Sequence, residues 1–121
     1  MGTLEILLNR GKTLPVQKKD VKIKRLSTEA EPVVFSLRSL SWTRAAEIRK
    51  MGGDDTQIHM VLAGTEAPDL KNQALLDLYG AATPAELLKL MLLPGEIEDL
   101  AAEIDRLSGY RQMTVEAVKK K

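Results

Sequence analysis

Cysteine is absent from this 121-residue chain, and histidine occurs once, at His59. Without cysteine the chain can form neither a disulfide framework nor a thiolate metal site. A single histidine excludes a catalytic triad or a multi-histidine metal site within one chain, and we interpret His59 as a surface or part-buried residue. The acids Glu96, Asp99 and Glu103 share one face of a predicted helix, which indicates a solvated surface rather than a metal cluster. We therefore predict no catalytic residue, no metal, no cofactor and no enzyme activity.

Aromatic residues are also scarce, at 3% of the chain, while apolar residues make up 44%. The core must therefore be built from leucine, isoleucine, valine, methionine and alanine, which suits helices. The length is that of one domain with a single core. There is no apolar run of transmembrane length, and the first residues lack the pattern of a signal peptide. We expect a cytoplasmic protein with no membrane partner.

The formal net charge is only +1, but the charges are unevenly distributed. Residues 1–25 contain seven Lys or Arg against two acids, whereas residues 54–110 contain eleven acids against three basic residues. Such asymmetry can steer a partner or favour self-association, so a homo-oligomer stays open. No aromatics are interleaved with the N-terminal basic residues and no recognition-helix pattern follows, so we expect no nucleic-acid partner.

The N-terminal third predicts an arm followed by a β-hairpin. Residues 1–20 are expected to form a flexible arm with one or two amphipathic turns near its start, because the later part is rich in glycine, proline and charge. Residues 21–26 and 33–40 alternate apolar and polar positions around a six-residue polar loop, which predicts an antiparallel hairpin. An isolated hairpin is marginal in water, so its apolar face needs helices over it.

About five short helices are predicted to follow, which makes the fold class α+β and places a single domain at residues 21–118. Ser41 is a suitable N-cap for a helix over residues 42–51, in which Ala45, Ile48 and Met51 fall on one apolar stripe. Residues 57–63 favour a second helix capped by Asp54, with a short strand as the rival prediction because so short an apolar run is ambiguous. A loop is expected next. This loop is predicted at residues 65–69. The remaining helices are predicted at residues 70–79, 84–93 and 96–107, with a short tail helix at 114–120.

The helix pair at residues 84–107 is the best specified segment and the poorest in chemistry. Thr83, Pro84 and Glu86 form a strong helix start. In the next seven residues only Lys89 is polar, so the first helix is apolar nearly all round and is either central to the core or covered by another molecule. The sequence leaves both open. As a partner-binding groove, the pair would use Leu88, Met91, Leu92, Ile97, Leu100 and Ile104.

Four short motifs, taken in order, give the chain a family resemblance over roughly residues 20–118. The motifs are PDL at 68–70, YG at 79–80 with TP at 83–84, LPGEI at 93–97 and LSGY at 107–110. In this order they resemble the XkdN-like tail assembly chaperones of long-tailed phages and prophages. No single motif is diagnostic, and it is the ordered series that carries the resemblance.

This resemblance implies a role in assembly rather than a reaction. Proteins of that family are thought to bind the long, helical tape measure protein, to keep it soluble until tail tube subunits replace them, and to leave the finished virion. The resemblance thus implies a non-enzymatic chaperone in the host cytoplasm, with the tape measure protein and tail tube subunits as partners. A structural tail or connector protein retained in the virion is the alternative.

Overall fold

Six helices and three short strands make up the part of the chain that the structure, a computed structural model, describes: residues 2–10, 15–53, 55–110 and 115–118. The predicted α+β class is confirmed, with a hairpin near the N-terminus followed by helices. In chain order the elements are α1 (Thr3–Leu8), β1 (Lys18–Lys22), a 3-10 turn (Lys24–Leu26), β2 (Val34–Arg38), α2 (Trp42–Met51), α3 (Thr56–Gly64), β3 (Thr65–Ala67), α4 (Gln73–Tyr79), α5 (Pro84–Met91) and α6 (Pro94–Leu107).

The predicted hairpin is formed by β1 and β2, which pair antiparallel with Val21 opposite Phe35. The alternation of β2 buries Phe35 and Leu37 and leaves Arg38 in solvent. The first strand begins at Lys18, so three residues of the predicted arm are part of the sheet. It ends at Lys22, and Lys24–Leu26, which were predicted as strand, form the 3-10 turn instead. The buried face of β2 lies against α6, which supplies the helical cover that a hairpin requires.

A third strand replaces the predicted loop at residues 65–69. β3 pairs antiparallel with β2, with Leu37 opposite Thr65, and the strand order is β1-β2-β3. The prediction was wrong here because Thr-Glu-Ala is too short to show an alternating pattern. Such a strand is specified by its neighbour in the sheet rather than by its own residues.

α2 begins and ends at the predicted residues. The Ser41 hydroxyl accepts the Arg44 N–H at 3.2 Å, which is the expected N-cap hydrogen bond. The chain leaves the helix through Gly52 and Gly53, whose φ angles of 59° and 81° suit glycine. Local sequence alone was sufficient for this element because its caps lie in the residues beside it.

α3 is a helix, not the rival strand. The predicted cap, Asp54, lies outside the described residues, and Asp55 is the N-cap without a capping side-chain bond. At its other end Gly64 lies against α6: a Cβ built there would be 2.5 Å from Cδ1 of Ile104. The two helices therefore approach closely because Gly64 has no side chain.

α4 begins at Gln73, three residues later than predicted. The Asn72 side chain accepts the Leu75 N–H at 3.1 Å and fixes the start of the helix. The expected end at Gly80 is confirmed, with a left-handed conformation at φ 68°. The prediction missed Asn72 because it followed the apolar residues from Leu70 and not the capping residue.

α5 and α6 form the predicted pair, although α5 ends at Met91 and not at residue 93, and α6 begins at Pro94, two residues earlier than predicted. The Thr83 hydroxyl accepts the Glu86 N–H at 3.2 Å, as its position predicted. After α6 the predicted tail helix is absent from residues 115–118, and its other residues, 114 and 119–120, lie outside the described part of the chain. Of the helices that the structure describes, none has the length and apolar character to cross a membrane.

The hydrophobic core joins the inner face of the sheet to α3, α4, α5 and α6. The largest fully buried side chains of the described residues come from β2, from helices α2 and α3, and from the α5–α6 pair. They are Phe35, Leu37, Ile48, Val61, Leu87, Leu88 and Ile104. Only one of the seven is aromatic, in agreement with the composition.

Candidate partner-binding surfaces

The six residues predicted as a partner-binding groove lie together inside the domain. All belong to one buried cluster, and their exposed fractions are between 0 and 8%. As the domain stands, none of these side chains presents a surface to another molecule. Their contact with a partner stays a prediction, and it requires α5 and α6 to separate from the core. The six are Leu88, Met91, Leu92, Ile97, Leu100 and Ile104.

The leucines at the end of α5 differ in burial. Leu92 follows the last turn in an extended conformation, with φ −113° and ψ 149°, and is 5% exposed. The next residue, Leu93, points the other way and is 54% exposed, and Leu90 is similarly exposed at 56%. Of two neighbouring leucines, one is therefore buried in the core and the other is exposed to solvent. The sequence pattern did not distinguish them.

The junction between α5 and α6 is held by Arg25 from the 3-10 turn. Its guanidinium donates to Glu96 Oε1 at 2.9 Å and Oε2 at 3.1 Å, and to the Met91 carbonyl at 2.7 Å. Glu96 also accepts the Leu93 N–H at 2.7 Å. These hydrogen bonds, the one from Arg25 foremost, hold the pKa of Glu96 below its ordinary value. Arg25 thereby fixes the direction in which α6 leaves α5.

A second cation from the N-terminal segment reaches α6 further along. Lys19 Nζ lies 2.8 Å from Glu103 Oε2, and Arg106 also pairs with this carboxylate. The hydrogen bond from Lys19 is the main cause of the lowered pKa of Glu103. The basic N-terminal segment and the acidic middle of the chain therefore meet within one domain.

A groove of about 430 Å³ runs between these two ion pairs, and Asp99 lines it together with Glu96 and Glu103. Two of the three acids on this helix face are thus paired with cations. In the part of the chain that the structure describes, no cluster of His, Cys, Asp or Glu has a metal-binding arrangement. The rest of the lining includes the apolar residues Val21, Ile23 and Leu100, and the groove contains no arrangement typical of catalysis.

Large apolar side chains are exposed on α1. Leu4, Ile6, Leu7 and Leu8 have exposed fractions from 46 to 73%, and no residue of the helix is buried. The sequence indicated an amphipathic turn here. In the structure, the four side chains have no apolar core to cover them.

A second exposed apolar surface lies at the start of α2. Trp42 is 80% exposed and, with Ala46, Arg49, Lys50 and Tyr110, lines an open cleft of about 420 Å³, which we call the Trp42 cleft. The Arg49 guanidinium carbon lies 4.1 Å from the centre of the Tyr110 ring, a cation–π distance. The far wall of the cleft is therefore an arginine stacked on a tyrosine.

Sequence reasoning missed this cleft because it followed only the inward stripe of α2. Ala45 and Ile48 are buried as that stripe predicted, but Met51, its third member, is 61% exposed. The available signal was Trp42 itself, the one tryptophan of the chain, at the first residue of the helix.

Two comparisons with known proteins match most of the chain. The family model described as phage XkdN-like tail assembly chaperone protein matches residues 4–120, a range that includes all of α1 except Thr3. A comparison with curated protein sequences finds no match. Among solved structures, the crystal structure of the protein YqbN is similar, with a TM-score of 0.66 and 19% identity over 86% of this chain and 94% of that chain. At this identity the likeness supports the fold alone.

Proposed function

The chain belongs to the phage XkdN-like tail assembly chaperone family, and on that premise we propose that it binds the helical tape measure protein during tail morphogenesis and catalyses no reaction. The family match over residues 4–120 is the observation that carries the proposal. A tape measure protein is long and helical with apolar stripes, and such stripes are covered by complementary apolar helices or grooves.

The exposed face of α1 supports this proposal. A six-residue helix is marginal in water by itself, since helix nucleation is costly. It carries four exposed apolar side chains, and their burial against a second helix is more favourable than their exposure to solvent. These four residues of α1 also lie inside the range that the family model matches. We therefore assign the first contact with the tape measure protein to Leu4, Ile6, Leu7 and Leu8.

The buried residues of α5 and α6 enter the proposal indirectly. They hold the domain together, and the domain holds the exposed surfaces in place. Many copies bound along one partner would gain avidity from individually weak contacts. In this scheme the chaperone acts in the host cytoplasm, tail tube subunits replace it, and it is absent from the mature virion.

Co-expression with the tape measure protein, followed by pull-down, tests the proposal. We expect the full chain to recover a long helical protein in soluble complex. The variant L4S/L8S should lose most of this recovery, whereas the control L78S, at a side chain 77% exposed on α4, should keep it. A tape measure protein that stays insoluble beside the full chain would contradict the proposal.

Mass spectrometry of purified phage particles tests the second part of the scheme. A chaperone that is replaced during assembly is expected to be missing from finished particles. Its presence there in stoichiometric amount would instead support the alternative of a structural tail or connector protein.

A further inference from the structure

We propose that the Trp42 cleft is a second contact for the tape measure protein and receives an apolar side chain from an acidic, amphipathic helix of that partner. The inference rests on the proposed function and adds to it the place and the chemistry of the contact. The residues that carry it are Trp42, Arg49, Lys50 and Tyr110.

The composition of the cleft is that of an interface centre. Tryptophan, tyrosine and arginine are the residues that most often dominate binding energy, and here all three line one cleft of about 420 Å³. Trp42 is 80% exposed and so contributes little to the core of its own domain. A large aromatic side chain is exposed to water here, and its burial against a partner would favour binding.

The walls of the cleft are fixed before any partner arrives. Gly109 has a φ of 94°, and the turn that it allows brings the Tyr110 N–H to the Asp105 carbonyl at 2.9 Å. The Ser108 hydroxyl accepts the Leu40 N–H at 2.9 Å and so joins the end of α6 to the segment before α2. A preformed site loses less conformational entropy on binding.

The charge around the cleft selects the occupant. α2 exposes Arg44, Arg49 and Lys50. Arg44 pairs with Glu47 at 3.3 Å and Arg49 with Asp105 of α6 at 3.7 Å, so the surroundings of the cleft carry an excess of one positive charge, that of Lys50. This basic rim beside an apolar floor matches a helix that carries acids next to its apolar stripe. Val16, eight residues after α1, lines a neighbouring groove with Ser41 and Arg44, so the segment that leads to α1 lies beside the start of α2. A partner helix at the cleft would therefore lie near Val16, which is eight residues along the chain from the helix that carries the first contact.

The fluorescence of Trp42 tests the inference directly, because the chain has no other tryptophan. In the free full-length protein we expect the emission of an exposed indole that acrylamide quenches readily. Addition of a tape measure fragment that lacks tryptophan should shift the emission to the blue and reduce quenching by several-fold. Unchanged emission and quenching in a complex that pull-down shows to be formed would overturn the inference.

Matched variants measure the size of the contribution. W42A should weaken binding of the fragment by about tenfold or more, and the control L78A should stay within about twofold, since both side chains are highly exposed but only one lines the cleft. K50E should weaken binding more than K71E, which makes the same charge change at an exposed lysine outside the cleft. Equal losses in W42A and L78A would overturn the inference.

The outcomes separate this inference from the proposed function. Binding by the full chain that is unchanged in W42A and K50E overturns the inference and leaves the function standing. No binding by the full chain overturns both. A free chain whose Trp42 is already protected, and becomes exposed on removal of residues 2–8 or on dilution, assigns the cleft to α1 or to a second copy and also overturns the inference.

Discussion

The α5–α6 pair and the α1 helix are both dense in large apolar residues, yet their surroundings are opposite. The pair is enclosed by α3, α4 and the sheet, and its inward side chains are almost fully buried. α1 has no buried residue at all. Apolar content therefore does not identify a binding surface in this chain. Whether an apolar helix is buried or exposed depends on whether other elements of the domain surround it.

The largest effect is expected from placing a charge on the covered side of this comparison. L92E should destabilise the domain by roughly 4 kcal/mol or more, because the carboxylate replaces a side chain 5% exposed in the core. That is a large fraction of a typical free energy of unfolding of about 5–15 kcal/mol. Urea denaturation followed by circular dichroism measures it.

The neighbouring residue is the control for this substitution. L93E places the same charge at a position that is 54% exposed and should change stability by less than about 0.5 kcal/mol. A folded L92E variant that has lost partner binding would reverse the comparison and return the α5–α6 pair to the partner-binding role.

A smaller loss is expected where α3 meets α6. G64A would place a methyl group 2.5–2.8 Å from three side-chain atoms of Ile104, and overpacking of this kind costs about 1–3 kcal/mol. The double variant G64A/I104A should be more stable than the sum of the two single losses predicts, since the shortened side chain makes room. Additive losses would show that Gly64 is needed for another reason.

A pH-dependent effect is expected at the junction between α5 and α6. The pKa of Glu96 is lower in the folded protein than its ordinary value of 4.5. Its contribution to stability is therefore present above about pH 4.5 and lost as the pH falls through the folded pKa. Urea midpoints measured from pH 6 to pH 3 should fall less steeply for R25Q than for the wild type. Parallel slopes would contradict a role for this ion pair.

The smallest effect on stability is expected on the uncovered side. Removal of residues 2–8 should change the free energy of unfolding by less than about 0.5 kcal/mol, because no residue of α1 is buried. The same deletion should abolish most of the recovery of the tape measure protein. A large drop in the thermal midpoint would show that α1 belongs to the core of the domain.

Elements with local signals were predictable from the sequence. α2 and the start of α5 were predicted at their observed residues because Ser41 and Thr83 cap them by hydrogen bonds three residues away. β3 was not predictable, since its pairing with β2 joins residues distant in the chain. The start of α4 was available in principle from Asn72, a capping residue that the apolar pattern obscured.

The surfaces were harder to predict than the fold. A helix that is apolar all round gives no period from which to tell a buried leucine from an exposed one, so Leu92 and Leu93 were indistinguishable. Trp42 lies three residues before Ala45, so the apolar period of α2 did not indicate its exposure, and its meeting with Tyr110 depends on the turn after α6. Contacts of this kind follow from tertiary structure and not from residue type.

The edge of the sheet has a consequence for the behaviour of the protein at high concentration. β1 has β2 on one side only, and an unpaired strand edge is a common start of aggregation. If two copies of β1 paired antiparallel about Asp20, the two aspartates would face each other and Lys18 would face Lys22. Like charges directly opposite are destabilising. The β1 edge thus discourages its own copies from joining sheet to sheet.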